Sequence, residues 1–182
     1  MSSKVLIQPW NTSIVSLNLN DVVDPEEMAQ LILCCGEGTA SDLAPGTVGV
    51  DALIEFRNQY ITPHVKDYFK EHWGSEMDVS ELSVGMWAVC NTGSEGLEMH
   101  NHEWGLLTTV YYPLDSDSCI VMADPRHNAN RGYPADIANG HFAKLRIAPK
   151  AGDLLLFPSF VYHQVSPGKP GMRIALVNNF GI

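Results

Sequence analysis

Gly152-Asp153-Leu154-Leu155-Leu156-Phe157-Pro158-Ser159-Phe160-Val161-Tyr162-His163 is an apolar run closed by a proline, with a histidine at its far end. Such a run reads as a buried β-strand, and Pro158 predicts a sharp turn that presents the His163 ring from a rigid support. Working outward, His100-Asn101-His102 lies among Thr, Val, Tyr and Leu residues that also read as β. On a strand, residues i and i+2 point the same way, so His100 and His102 share a face while Asn101 and Glu103 point away from it. Two imidazoles from one strand and a third from a neighbour make a facial set of nitrogen ligands with open positions on a transition metal, and iron is the metal read from it. An H-x-H pair alone carries little. The independent histidine at long range tips the reading to a metal site.

The N-terminal half reads differently. Val5-Leu6-Ile7 and residues 14–19 are β-prone, separated by a turn at Pro9, Trp10 and Asn11. Asp24 is placed as the N-cap of a helix, with Pro25 at its first position and Glu27 completing a capping box. Met28, Leu31, Ile32 and Cys35 form one stripe, and Gly36 stops it. Residues 36–49 are a loop by composition, one candidate for a lid. A second helical region runs from Asp51 to His72, where Pro63 demands a kink or a fresh start capped by Thr62. His64 and His72 read as surface residues.

From Ser80 the period becomes alternating: Leu82, Val84, Met86 and Ala88 on one face, Gly85, Trp87 and Val89 on the other. Strand-like segments follow near 97–103, 106–113, 118–123, 141–149, 153–158, 160–165 and 172–180. Helices first and strands afterwards predict an α+β chain with one domain over 1–182, a helical support at 20–75 and a β core at 80–182. A sheet of roughly eight strands that binds something inside closes into a barrel or rolls into a sandwich. The polar stretch 124–134 holds Asp124, Arg126 and His127; it reads as solvated loop and as a second candidate lid.

The 182 residues carry a formal charge of −10, which argues against a nucleic-acid backbone as the main partner. Four cysteines in apolar surroundings, with no C-x-x-C pair, suit a reduced compartment. No signal-like pattern and no bilayer-length apolar run is visible, so the expectation is a soluble, cytoplasmic protein with no membrane partner.

The stretch Trp87…Asn91…Gly96…His100-Asn101-His102…Thr108-Thr109-Val110-Tyr111-Tyr112 is similar to the signature of a family of small 2-oxoglutarate/iron(II) oxygenases of bacteria and bacteriophages. That signature runs W-x-x-x-N, then H-x-H-P, then S-G-V-Y-Y. Residues 152–163, with Arg173-Ile174 and Asn179-Phe180, resemble the family's G-D-L-L-x-F-P-S-x-x-x-H…R-I-S…N-F ending. The resemblance covers about half the chain, from residue 87 onward. It implies an α+β fold, a double-stranded β-helix (jelly roll, cupin-like) with N-terminal packing helices. The implied cofactors are Fe(II) and the co-substrate 2-oxoglutarate, with O2 consumed.

The resemblance also assigns residues. His100, His102 and His163 become the metal ligands and catalytic residues, although related enzymes at large use Asp or Glu where His102 stands. Glu103 is the obvious substitute, but strand parity aims it away unless a bulge intervenes. Arg173, on the otherwise apolar strand 172–177, stands where these enzymes keep a basic residue. Its guanidinium can grip the distal carboxylate of 2-oxoglutarate through two charge-assisted hydrogen bonds. Tyr112 either completes that clamp or is a core aromatic, and Asn91 is a candidate donor steadying a ligand or the keto acid. Ala175 replaces a family serine. Thr108 and Thr109 replace Ser-Gly and narrow the adjacent space.

The reading is an Fe(II)- and 2-oxoglutarate-dependent dioxygenase that hydroxylates a small molecule or an amino-acid side chain, free or peptidyl. Met86, Met99 and aromatic residues near the metal are its self-oxidation targets. Two alternatives stay open. Gly152 to Pro158 fits the G-x5-P start of a cupin motif, so a three-His cupin dioxygenase without 2-oxoglutarate is one, though the first cupin motif fails at Glu103. A non-enzymatic metal- or sugar-binding jelly roll is the other, and it gives Arg173 no purpose. The sequence leaves room for a homodimer.

Overall fold

The computed structural model describes residues 11–35, 39–42, 49–126, 131–141 and 144–182. The run at Val5-Leu6-Ile7, His127, most of the first candidate lid and part of the second lie outside them. The chain enters through β1 (Val15–Asn18), and Asp24 caps α1 (Pro25–Cys35). Its carboxylate accepts the N–H groups of Glu26 at 2.9 Å and Glu27 at 3.3 Å, satisfying donors that the first helical turn leaves unpaired. Met28, Ala29 and Ile32 are the buried face of α1. Strand β2 (Thr39–Asp42) forms inside the stretch expected to be loop. Pairing with an edge of the sheet confers strand geometry there, which its small polar residues do not announce.

The second helical region is α2 (Val50–Phe56), a π-helical turn (Arg57–Ile61) and α3 (Thr62–Trp73). Of the kink or fresh start expected at Pro63, a new α-helical segment does begin at Thr62, but Thr62 is not its cap and the chain stays helical across the junction. The turn widens, with the Thr62 N–H donating to the Arg57 carbonyl. Pro63 then falls in the first turn of α3, where its missing donor is harmless. Gly74, at φ 63°, ends α3.

The remaining elements are β3 (Ser83–Asn91), β4 (Leu97–His100), β5 (Leu107–Tyr112), β6 (Ile120–Met122), α4 (Ala135–His141), β7 (Leu145–Ile147), β8 (Asp153–Pro158), β9 (His163–Val165) and β10 (Arg173–Gly181). Helix α4 forms between the polar stretch 124–134 and the strand expected at 141–149, takes the first residue of the latter, and that strand shrinks to β7. Pairing is antiparallel throughout the described residues. A larger sheet runs β1-β8-β5-β10-β3-β2 and a smaller one β4-β9-β6-β7. The N-terminal half therefore supplies both edge strands of the large sheet besides the helices.

Period-two alternation gives the large sheet two buried faces. One face packs Leu107, Tyr111, Leu154, Leu156, Ile174 and Leu176 against the helices, where Ile32, Leu53, Phe56 and Val65 meet them. The other packs Val110, Tyr112, Leu155, Phe157, Ala175 and Val177 toward Ile120, Met122 and Val161. This is a double-stranded β-helix backed by helices, as expected. Among the described residues the chain crosses between the sheets six times, and two of those corners, between β4 and β5 and between β8 and β9, carry the histidines. No helix among the described residues is long and apolar enough to cross a membrane.

Candidate metal centre and active-site cavity

β4 and β9 pair so that His100 lies opposite His163, with ring centroids 4.3 Å apart. His102 arrives by another route than strand parity. β4 ends at His100, and His102 sits in the following turn, where its N–H donates to the Ser159 carbonyl at 3.0 Å and its carbonyl accepts the Gly105 N–H at 3.2 Å. Its ring lies 5.5 Å from His100 and 5.1 Å from His163. One ring nitrogen from each histidine falls within 4.8 Å of the other two.

The ring orientations are set by backbone carbonyls. The Glu98 carbonyl meets Nδ1 of His100 at 2.7 Å and the Val161 carbonyl meets Nδ1 of His163 at 2.9 Å. A donated Nδ1–H leaves Nε2 with its lone pair free. Burial, then the His163 and His100 rings, push His102 down to about 4. Burial likewise pushes His163 to about 4, with the Val161 hydrogen bond opposing and His100 adding to the fall. Both rings are neutral at pH 7, the state a metal ligand needs. The alternative carboxylate Glu103 is exposed and outside the cavity lining. The bulge that would redirect it lies upstream instead, between Leu97 and His100.

A cavity of about 370 Å³ opens between the two sheets. His100, His102, His163 and Trp87 lie at one part of it; the Trp87 ring is 5.4 Å from that of His102. Val110, Ile120, Val165, Ala175 and Val177 are its apolar walls, and Glu95, Gly96 and Leu97 also line it. Arg173 and Asn91 face each other across the β10–β3 ladder, four residues along from Val177 and Trp87, roughly 13 Å of strand.

Arg173 is 5% exposed and Tyr112 2% exposed. The guanidinium lies beside the Tyr112 hydroxyl, and burial pushes that phenol up to about 12 although the guanidinium pulls against it. Among the described residues no carboxylate stands within ion-pair distance of Arg173. Asn91 lines the cavity, but its Oδ1 already accepts the Gly93 N–H at 3.0 Å.

Three expectations move. Met86 packs on the helix side of the large sheet and Met99 lines a separate groove, so neither faces the cavity; Trp87 and Tyr112 do. Thr109 is buried away from it as well, and Thr108 binds Ser159 and Asn179 instead of narrowing the space. Among the residues sequence reasoning passed over, Val165 had a usable signal, because it shares strand parity with His163. Glu95 and Ile120 had none, since loop path and sheet packing alone bring them there.

Residues 85–179, just over half of the chain, match the family model described as "Putative 2OG-Fe(II) oxygenase". The chain belongs to this family. It is 30% identical over 171 residues to L-gamma-glutamyl-L-propargylglycine hydroxylase of Streptantibioticus cattleyicolor, a match covering 87% of this chain and 55% of that protein. The chain thus spans about half the length of the curated relative it matches. Two solved structures share the fold. Iron-bound HygX from Streptomyces hygroscopicus superposes with a TM-score of 0.62 at 15% identity, over 93% of this chain and 82% of that one. HygX is also known with nickel, 2-oxoglutarate and hygromycin B bound. A Trichoplax adhaerens prolyl hydroxylase, in complex with a hypoxia inducible factor peptide fragment, gives 0.64 at 15% identity over 92% and 83%.

The residues of this family member fit the groups the family is named for. Three convergent, neutral imidazoles are a donor set for a divalent first-row metal. A buried guanidinium with no carboxylate partner among the described residues fits an anion, because an unpaired buried charge is otherwise costly.

Proposed function

We propose that this protein is an Fe(II)- and 2-oxoglutarate-dependent dioxygenase that hydroxylates a small molecule or an amino-acid side chain. The observation that carries the reading is Arg173, buried in the same cavity as the three histidines with no acidic partner among the described residues. His100, His102 and His163 hold the iron through their free ring nitrogens. Arg173 takes the distal carboxylate of 2-oxoglutarate through its paired N–H groups, and Tyr112, protonated at neutral pH, donates to the same carboxylate. Asn91 has its amide nitrogen left to steady the co-substrate.

When bound, iron and 2-oxoglutarate supply oxidative decarboxylation to succinate and CO2, coupled to insertion of one oxygen atom of O2 into a C–H bond. The chain's own work is positional. Val110, Ile120, Val165 and Val177 exclude water, Ala175 leaves room beside Arg173, and the substrate enters past Glu95, Gly96 and Leu97. The hydroxylase relative acts on an amino-acid derivative, which supports a substrate of that size. We take residues 1–182 to act as one domain with 20–75 as support. Cys34, Cys35, Cys90 and Cys119, none of them in a disulfide among the described residues, suit the cytoplasm.

Anaerobic addition of Fe(II) and then 2-oxoglutarate tests the reading. A visible metal-to-ligand charge-transfer band is expected, weakened by Arg173→Ala and abolished by His163→Ala. Tight iron without such a band turns the reading to a three-His cupin.

A further inference from the structure

Beneath the turn that carries His102 lies a closed polar triangle. The Thr108 and Ser159 hydroxyls meet at 2.8 Å, and Asn179 Oδ1 stands 3.0 Å from the first and 2.9 Å from the second. Thr108 and Ser159 are fully buried and Asn179 is half-buried. None of them lines the cavity. Two hydroxyl protons serve three short contacts, so the cluster bonds as a unit and not as independent pairs. Apolar residues would fill such a position at lower cost, as Ala175 and Val177 do on the same face of β10. Buried polar groups of this kind earn their place by fixing one geometry.

What they fix can be followed along the backbone. The Ser159 carbonyl accepts the His102 N–H at 3.0 Å, and the Ser159 N–H donates to the Leu106 carbonyl at 3.0 Å. Both ends of the 102–106 turn are therefore tied to one residue. Ser159 stands at the corner where Val161 N–H bonds the Pro158 carbonyl and the Val161 carbonyl orients His163. Gly105 lies so close over the triangle that a Cβ there would collide with Asn179 Oδ1 and Ser159 Oγ. His102 has no strand ladder of its own, so this corner is what holds it.

We propose that Thr108, Ser159 and Asn179 are positioning residues that set the separation of His102 from His163, and with it the affinity of the site for its metal. The proposal rests on the metal-site reading above, and Co(II) is the probe for both. Metal-stripped protein is titrated with Co(II) by visible absorption, and its thermal unfolding is recorded alongside. Thr108→Val, nearly isosteric but without the hydroxyl, is expected to bind Co(II) about tenfold more weakly, with an altered band, while still unfolding cooperatively. Thr108→Ser restores wild-type affinity. Once saturated with Co(II), Thr108→Val binds 2-oxoglutarate as the wild type does, because Arg173 and Tyr112 are untouched.

Gly105→Ala pushes on the same triangle from the other side and carries the test if Thr108→Val does not fold. Wild-type affinity in the variant that folds overturns the proposal. Wild-type protein that binds no Co(II), or whose Co(II) binding survives His163→Ala, overturns the metal-site reading instead.

Discussion

Replacing Arg173 by Met separates a functional buried charge from a structural one, because the two roles predict opposite balances. If the guanidinium served the fold through a buried ion pair, removing it would strand the partner and cost about 3–5 kcal/mol. No carboxylate pairs with it among the described residues, so the polar group that its removal leaves behind there is the Tyr112 hydroxyl. That loss is worth about 1–3 kcal/mol. Release of a costly buried charge and packing of an apolar chain of similar length offset it. The net change in stability of the metal-free protein is therefore expected within about 1 kcal/mol of zero. Binding behaves otherwise. Two charge-assisted hydrogen bonds to a carboxylate are worth about 3–5 kcal/mol together, and each 1.4 kcal/mol is about tenfold. The Kd for 2-oxoglutarate should thus rise by roughly 100-fold or more. Urea unfolding of the metal-free variant gives the first quantity, and anaerobic titration of the Fe(II)-loaded variant gives the second. A loss of 3–5 kcal/mol in stability, or unchanged 2-oxoglutarate affinity, refutes the assignment.

Tyr112→Phe removes one donor to the same carboxylate and should weaken 2-oxoglutarate about tenfold with little change in melting temperature; equal weakening of metal binding would contradict that role. In the metal-free protein His102 and His163 titrate near 4, against about 6.5 in an unfolded chain. Between those values the unfolded chain binds more protons, so stability falls as pH drops from about 6.5 to about 4. Melts across that window should show the fall, and it should shrink in His102→Gln; a flat wild-type profile would argue against buried neutral rings. Asp24→Ala removes the cap of α1 and should cost about 1 kcal/mol in urea unfolding with no effect on metal titration.

Much of the site was legible before any coordinates. His163 at the end of an apolar run, His100 and His102 two apart, and Arg173 in an apolar strand are each odd for their surroundings, and an odd residue in a strongly patterned segment is readable locally. The same holds for the Asp24 cap and for the alternating faces of β3. Elsewhere the local signal was missing or misleading. β2 is a strand because β3 offers it an edge, and the kink or fresh start expected at Pro63 takes the form of a wider turn leading into α3.

The sequence by itself determined which side chains are the candidates for the chemistry, because residue type and strand period are properties of the chain alone. Tertiary structure decided how those side chains meet. His102 reaches the cluster from a turn held by Ser159, not from a strand, and the carboxylate rival Glu103 is left outside. Tyr112 is joined to Arg173 because β5 and β10 are neighbours in one sheet. The physical reason is that hydrogen-bond partners distant in sequence fix a turn, and no local pattern records where a distant carbonyl will stand.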